Sequence, residues 1–263
     1  MGSGAFIYAS NYSQYGISGT GILGPAGLIV YTLAKILREV LYKCKTGSWT
    51  KPEGSAWKHE DGGVRWSSCI PMLANVFATI GYTSVMTLAW RFANMAGMNQ
   101  GVISSLLNFA SIGNCIVFYC AFGERLSWFH LIGIGLMFCS IACIGAAAAT
   151  AEEKEGVDEV DTGGRSVVIN GILALVVGFG GPSITTARHY FIRKYAKNYR
   201  GVDMSFDAAA PQHFIFCFFL PSLASKLDIQ WSDIFTGLLA IMLMENGRIT
   251  LAYGVEKGLA GPA

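Results

Sequence analysis

Charge is what this sequence has least of. Aspartate, glutamate, lysine and arginine together make up 14% of its 263 residues, against about 25% in an ordinary soluble domain. That scarcity suits a surface solvated by lipid, because one charge at a bilayer centre costs about 2.5–3.5 kcal/mol on insertion scales. The net charge is only +2, so nucleic acid is not an expected partner. No G-x-x-x-x-G-K-[ST] run is present, and with it goes the phosphate cradle of an ATP-driven machine. Histidines number four; His130 and His213 fall near the ends of apolar runs, with no second His or Cys at ligand spacing. The seven cysteines are Cys44, Cys69, Cys115, Cys120, Cys139, Cys143 and Cys217. Most sit inside apolar runs, where cysteine behaves as a small hydrophobe. Cys139 and Cys143 share a helical face, but no histidine or carboxylate on that run completes a metal site. No metal or other cofactor is expected. No nucleophile–base pair stands out, so an enzyme is not expected either. Met1–Ser10 is short and lacks the basic start of a secretory signal.

What the chain has is apolar length. Apolar residues make up 52%, and the mean hydropathy is +0.44. A bilayer-crossing helix needs about twenty apolar residues. Six runs meet that condition, at about 20–42, 67–90, 100–122, 127–149, 167–189 and 231–253. A seventh, about 208–226, carries Pro211 and Pro221 near its ends, and Met1–Tyr12 reads as part of another. Trp66 and Trp90 mark the two ends of one helix, as interfacial aromatics do. The expected fold class is all-α, a polytopic transmembrane helix bundle with inverted-topology repeats. The bilayer is its solvent, and the chain is a multi-pass integral membrane protein.

Charge placement orients the spans. Seven basic residues (Lys35, Arg38, Lys43, Lys45, Lys51, Lys58 and Arg65) separate the first two full spans. Counting crossings puts Arg125, the five residues Arg188, Arg193, Lys194, Lys197 and Arg200, and Lys257 on the same side, fourteen in all. Four (Arg91, Lys154, Arg165 and Lys226) fall opposite, with the acidic loop Glu152–Asp161. The basic side is expected to be cytoplasmic.

The stretch Asn99–Thr150 reads NQGVISSLLNFASIGNCIVFYCAFGERLSWFHLIGIGLMFCSIACIGAAAAT. Two apolar runs flank the polar knot Gly123-Glu124-Arg125-Leu126-Ser127. This run resembles the end of the first repeat of the drug/metabolite transporter superfamily, EamA type, in which such a turn joins the fourth and fifth helices. The resemblance implies ten helices in two inverted halves. On that pattern, residues 1–149 form a first repeat with a shortened start, 150–165 an acidic exterior loop, and 166–263 an incomplete second repeat. The last two helices and part of the first are then missing. At the knot, Glu124 and Arg125 suit a structural latch better than a ligand site.

A repeat also shows in the residues themselves. Thr87-Leu88-Ala89-Trp90 recurs as Thr250-Leu251-Ala252-Tyr253, an offset of 163. The two copies close helices of opposite direction, as inverted repeats require. Glu245 and Arg248 lie well inside the span 231–253, three residues apart and so on one face. Ionisable groups at that depth point to function; the alternative is a structural ion pair filling the bundle interior. Asn75, Thr79 and Tyr82 form a polar stripe, and Ser104, Asn108 and Ser111 repeat it on the next span. Such stripes face a water-filled cavity or another helix. The offset places Glu245 opposite Tyr82, near the midplane axis where solutes bind in inverted-repeat transporters. The substrate-binding or coupling candidates are therefore Glu245, Arg248, Asn75, Tyr82 and Asn108. Gly133, Gly135, Gly145 and Ala146–Ala149 provide small packing surfaces.

The expected function is secondary transport of a small polar metabolite or drug-like solute by alternating access, with Glu245 the carboxylate able to carry a coupling proton. The rival is a non-transporting multi-span protein, an incomplete repeat acting as a scaffold or assembly subunit. A homodimer is compatible with either.

Overall fold

A computed structural model describes residues 2–49, 57, 65–107, 109–124, 128, 131–136, 138–139, 143 and 166–256. Its helices are α1 (Gly2–Tyr12), α2 (Leu23–Thr46), α3 (Cys69–Met95), α4 (Gln100–Leu106), α5 (Phe109–Phe122), α6 (Val167–Tyr195), α7 (Gly201–Cys217), α8 (Leu220–Ala224) and α9 (Trp231–Glu256). A 3-10 segment, Ser13–Ile22, joins α1 to α2. No strand occurs among the described residues. Five helical runs are long and apolar enough to cross a membrane: Gly4–Thr46, Trp66–Met95, Gly101–Phe122, Val167–Tyr195 and Trp231–Glu256. Exposure is inverted relative to a soluble protein. Leu33, Phe77, Val168, Val176 and Phe235 face outward, while Asn75, Arg188, Gln212, His213, Glu245 and Arg248 are buried. Lipid solvation rewards this arrangement, since polar groups find partners only inside the bundle. The chain is an all-α polytopic helix bundle.

Several expected spans change their limits. The run Gly4–Thr46 is not one crossing. Tyr8 meets Thr87 and Ser13 meets Asn94, so α1 runs parallel to α3. Gly4 packs on Ala240 and Tyr12 donates to the Asp233 carbonyl at 2.9 Å, so α1 runs antiparallel to α9. Meanwhile α2 packs antiparallel to α7, with Gly24 against Cys217 and Arg38 paired to Asp203. The reversal falls in the 3-10 segment at Gly16, whose φ of 59° and ψ of −142° suit glycine alone. The expected span 100–122 corresponds to the helical run Gly101–Phe122, with a local tightening at Leu107. There the backbone switches to i→i+3 bonds, from Leu107 N–H to the Ser104 carbonyl and from Ala110 N–H to the Leu107 carbonyl. Asn108 lies outside the described residues. The run 208–226 begins earlier, at Gly201, which puts Pro211 inside α7 rather than near its end. Of the span 127–149, the described residues are helical. The loop 150–165 and residues 257–263 lie outside the description.

The packing that positions the interior depends on glycine. Along the antiparallel pair α3–α6, Gly181 meets the Met86 sulfur and Gly180 meets Val85. A Cβ at Gly181 would sit 2.5 Å from Met86 Sδ. Such close backbone approach is the usual device of membrane helices, which lack a hydrophobic drive to associate. Between α2 and α7, Gly27 lies directly under the His213 ring, and a Cβ there would fall 2.1 Å from His213 Nδ1. Gly27→Ala is expected to destabilise the detergent-solubilised protein by about 1–3 kcal/mol, the usual range for overpacking. An unchanged thermal midpoint would show that His213 can swing clear.

One end of the bundle gathers ion pairs. Arg38 binds Asp203; Arg193 binds Glu124 at 2.7 Å and the Glu256 carbonyl at 2.7 Å; Arg200 lies 3.9 Å from Glu256. Glu124, in the knot, thus ties the end of α5 to α6. Trp57 Nε1 and the Tyr199 hydroxyl both donate to Asp207. Burial and the Asp207 carboxylate push the Tyr199 hydroxyl pKa well up, so it stays a donor. The opposite end is held mainly by neutral groups, among them Ser18 to Ser222 at 2.9 Å, with Lys226 reaching Ser18 at 3.0 Å.

Candidate functional site

Four helices converge on a buried polar cluster. From α9, Glu245 and Arg248 project one turn apart, 7% and 4% exposed. Arg248 Nη1 donates to Glu245 Oε1. Its Nη2 donates to Thr79 Oγ1 on α3 and to Gln212 Oε1 on α7, both at 2.9 Å. Gln212 Nε2 returns a bond to Glu245 Oε1 at 3.3 Å. The carboxylate is therefore crowded with donors from two helices, as a buried charge requires.

His213 is the proton-bearing option in this network. Its Nε2 lies 3.3 Å from Glu245 Oε1 and 3.1 Å from Gln212 Nε2. With a proton on Nε2, the ring donates to the carboxylate; without one, it accepts from the amide. Its Nδ1, pressed toward Gly27, has no hydrogen-bond partner among the described residues.

A second guanidinium stands beside the first. Arg188 on α6, 4% exposed, donates from Nε to Asn75 Oδ1 and from Nη2 to Ser205 Oγ at 3.4 Å. Among the described residues it has no carboxylate within 4.0 Å. Two buried guanidiniums thus face one carboxylate, a surplus of one positive charge among these three side chains. The Asn75 Nδ2 donor is also without a partner among the described residues. Between the two arginines opens a cavity of about 20 Å³ walled by Ala78, Thr79, Tyr82, Thr83, Thr185 and Met244. That volume holds about one water.

The sequence-derived candidates divide in three. Glu245, Arg248 and Asn75 come together in the cluster, joined by Thr79, and Tyr82 lines the cavity. Asn108 falls outside the described residues; of the other two members of the second stripe, Ser104 is half-buried and Ser111 is exposed.

Three residues of the cluster are absent from the sequence-derived candidates: Arg188, Gln212 and His213. The basic count puts Arg188 among cytoplasmic loop residues, but α6 runs on to Tyr195 and carries Arg188 two turns below its end. The available signal is the denser basic group Arg193, Lys194, Lys197, which fits the interface better. His213 falls near a span end only if α7 starts at 208; it starts at Gly201.

No protein-family model matches this chain, and no curated protein or solved structure matches it either.

Proposed function

We propose that this chain is a secondary transporter that moves a small polar organic solute across a membrane by alternating access, the function implied by the resemblance of its polar knot to the drug/metabolite transporters. The observation that carries the reading is the buried cluster of Glu245, Arg248, Arg188 and His213, shared among α6, α7 and α9. Ionisable groups inside membrane-spanning helices are costly and mark solute or ion pathways.

The pattern of helix packing supports the two-half arrangement. If α1, α2 and α3 correspond to α6, α7 and α9, then the packing of α1 on α9 mirrors that of α3 on α6, and α2 on α9 mirrors α3 on α7. The contact between α2 and α7 maps onto itself. The helices α3 and α9 run in opposite directions, as exchange by an in-plane axis demands. Rocking one half against the other would part α3, α6 and α9 around the cavity. His213 supplies a coupling route, because moving its proton switches its bond between Gln212 and Glu245.

The test is uptake by the purified full chain in vesicles, with a panel of labelled small polar solutes and with counterflow against preloaded solute. Saturable uptake above protein-free vesicles is expected for at least one solute class. Folded, inserted protein that moves nothing, with or without a pH gradient, would remove transport.

A further inference from the structure

We infer that the solute recognised here is a small organic monoanion, its carboxylate held by the Arg188 guanidinium where that side chain lines the cavity. This rests on the transporter reading above and names its substrate class.

The inference starts from unequal treatment of two buried arginines. Arg248 has a carboxylate of its own; Arg188 has only neutral partners, Asn75 and Ser205. A guanidinium does not shed its proton in proteins, so Arg188 stays charged where an uncompensated charge is expensive. Its Nη1 makes no hydrogen bond among the described residues. Asn75, whose carbonyl oxygen is taken by Arg188 Nε, lies behind the guanidinium and does not line the cavity. Toward the cavity Arg188 presents donors and positive charge with no acceptor, the complement of a carboxylate.

Charge counting narrows the class. A monoanion brings the cluster from +1 to neutral. A dianion leaves a negative surplus in a low-dielectric setting, and a neutral or cationic solute leaves Arg188 uncompensated. The remaining wall fixes the rest of the molecule. Ala78, Tyr82 and Met244 offer an apolar face and Thr83 and Thr185 offer hydroxyls. A short carbon skeleton bearing a hydroxyl or similar group fits that mixture. In this conformation the cavity admits about one water, so the solute enters only when the helices separate.

The experiment measures the thermal midpoint of the detergent-solubilised full chain against sodium lactate, acetate and pyruvate, lactamide, sodium phosphate and sodium chloride, at constant sodium and about pH 8.5, where phosphate is mainly the dianion. Uptake of lactate and lactamide into vesicles is measured in parallel. Lactate is expected to raise the midpoint saturably, and its neutral amide, dianionic phosphate and chloride are not. Arg188→Gln is expected to fold with a ligand-free midpoint no lower than wild type, because it removes an unpaired charge. It should bind lactate roughly tenfold or more weakly, the loss of one charge-assisted contact. Arg188→Lys, which keeps the charge but loses the fork, should fall between. Equal protection by lactamide or chloride, undiminished lactate binding in Arg188→Gln, or an Arg188→Gln protein too unstable to assay would each overturn the assignment. So would the absence of any shift with lactate, acetate and pyruvate. Lactamide uptake indifferent to Arg188→Gln would keep transport and reject the anion site. Lactate binding without uptake of any solute would keep the anion site and reject transport.

Discussion

Replacing Arg248 by leucine is expected to destabilise the bundle by about 3–5 kcal/mol, the range for breaking a buried pair by removing one partner. The reason is what remains. Glu245 would keep its burial and lose its guanidinium, with Gln212 and His213 its remaining close polar partners among the described residues. Thr79 Oγ1 and Gln212 Oε1 would each lose the donor that satisfies them. Removing both charges together, Glu245→Leu with Arg248→Leu, should recover much of that loss, because the stranded carboxylate goes too. Unfolding of the wild type, the two single leucine variants and the double variant in detergent measures the coupling directly. Additive losses in the double variant would show that the two side chains do not form one energetic unit.

Glu245→Gln is expected to lower transport and also to destabilise the bundle, because Arg248 and Arg188 are left without a carboxylate, though by less than Arg248→Leu since an amide oxygen still accepts from Arg248. The amide keeps the shape of the carboxylate and an oxygen for Arg248, which also retains Thr79 and Gln212. What disappears is the charge that His213 can face with its proton. Uptake should fall by roughly tenfold to a hundredfold, the equivalent of one charged hydrogen bond of about 1.5–3 kcal/mol. Uptake is compared per folded protein, so that lost stability is not counted as lost transport. Wild-type uptake by this variant across a pH series would take Glu245 out of the mechanism.

The legible part of the site follows from one physical rule. A charged or amide side chain in the middle of an apolar run has no solvent to face, so sequence position is enough to put Glu245, Arg248 and Asn75 in the bundle interior. Span ends are harder, because a long basic side chain near an interface is equally at home in water or in the bundle. Arg188 falls on the wrong side of that division, and His213 with it. The tightening at Leu107 is hidden for another reason. Apolar residues continue on both sides of it, and only the backbone bonding pattern shows the change. The reversal at Gly16 is visible as a glycine, but glycines are frequent in this chain, and position alone does not single it out. The direction of α9 against α3 agrees with the short repeat Thr87–Trp90 and Thr250–Tyr253, although four residues specify little by themselves.

The two ends of the bundle are closed by different chemistry, and dissolved salt distinguishes them. At one end, partly exposed pairs such as Arg38–Asp203 and Arg193–Glu124 tie α2 to α7 and α5 to α6. At the other, a hydroxyl pair, Ser18 with Ser222, and the Tyr12 hydroxyl on the Asp233 carbonyl hold the chain. The Debye length shrinks from about 10 Å at 0.1 M to about 3 Å at 1 M. Ionic strength therefore loosens the charged closure and leaves the neutral one nearly untouched. On the transport reading proposed above, salt on the basic side of the membrane would shift the balance between opening at one end and at the other, while the end closed mainly by hydroxyls would respond less.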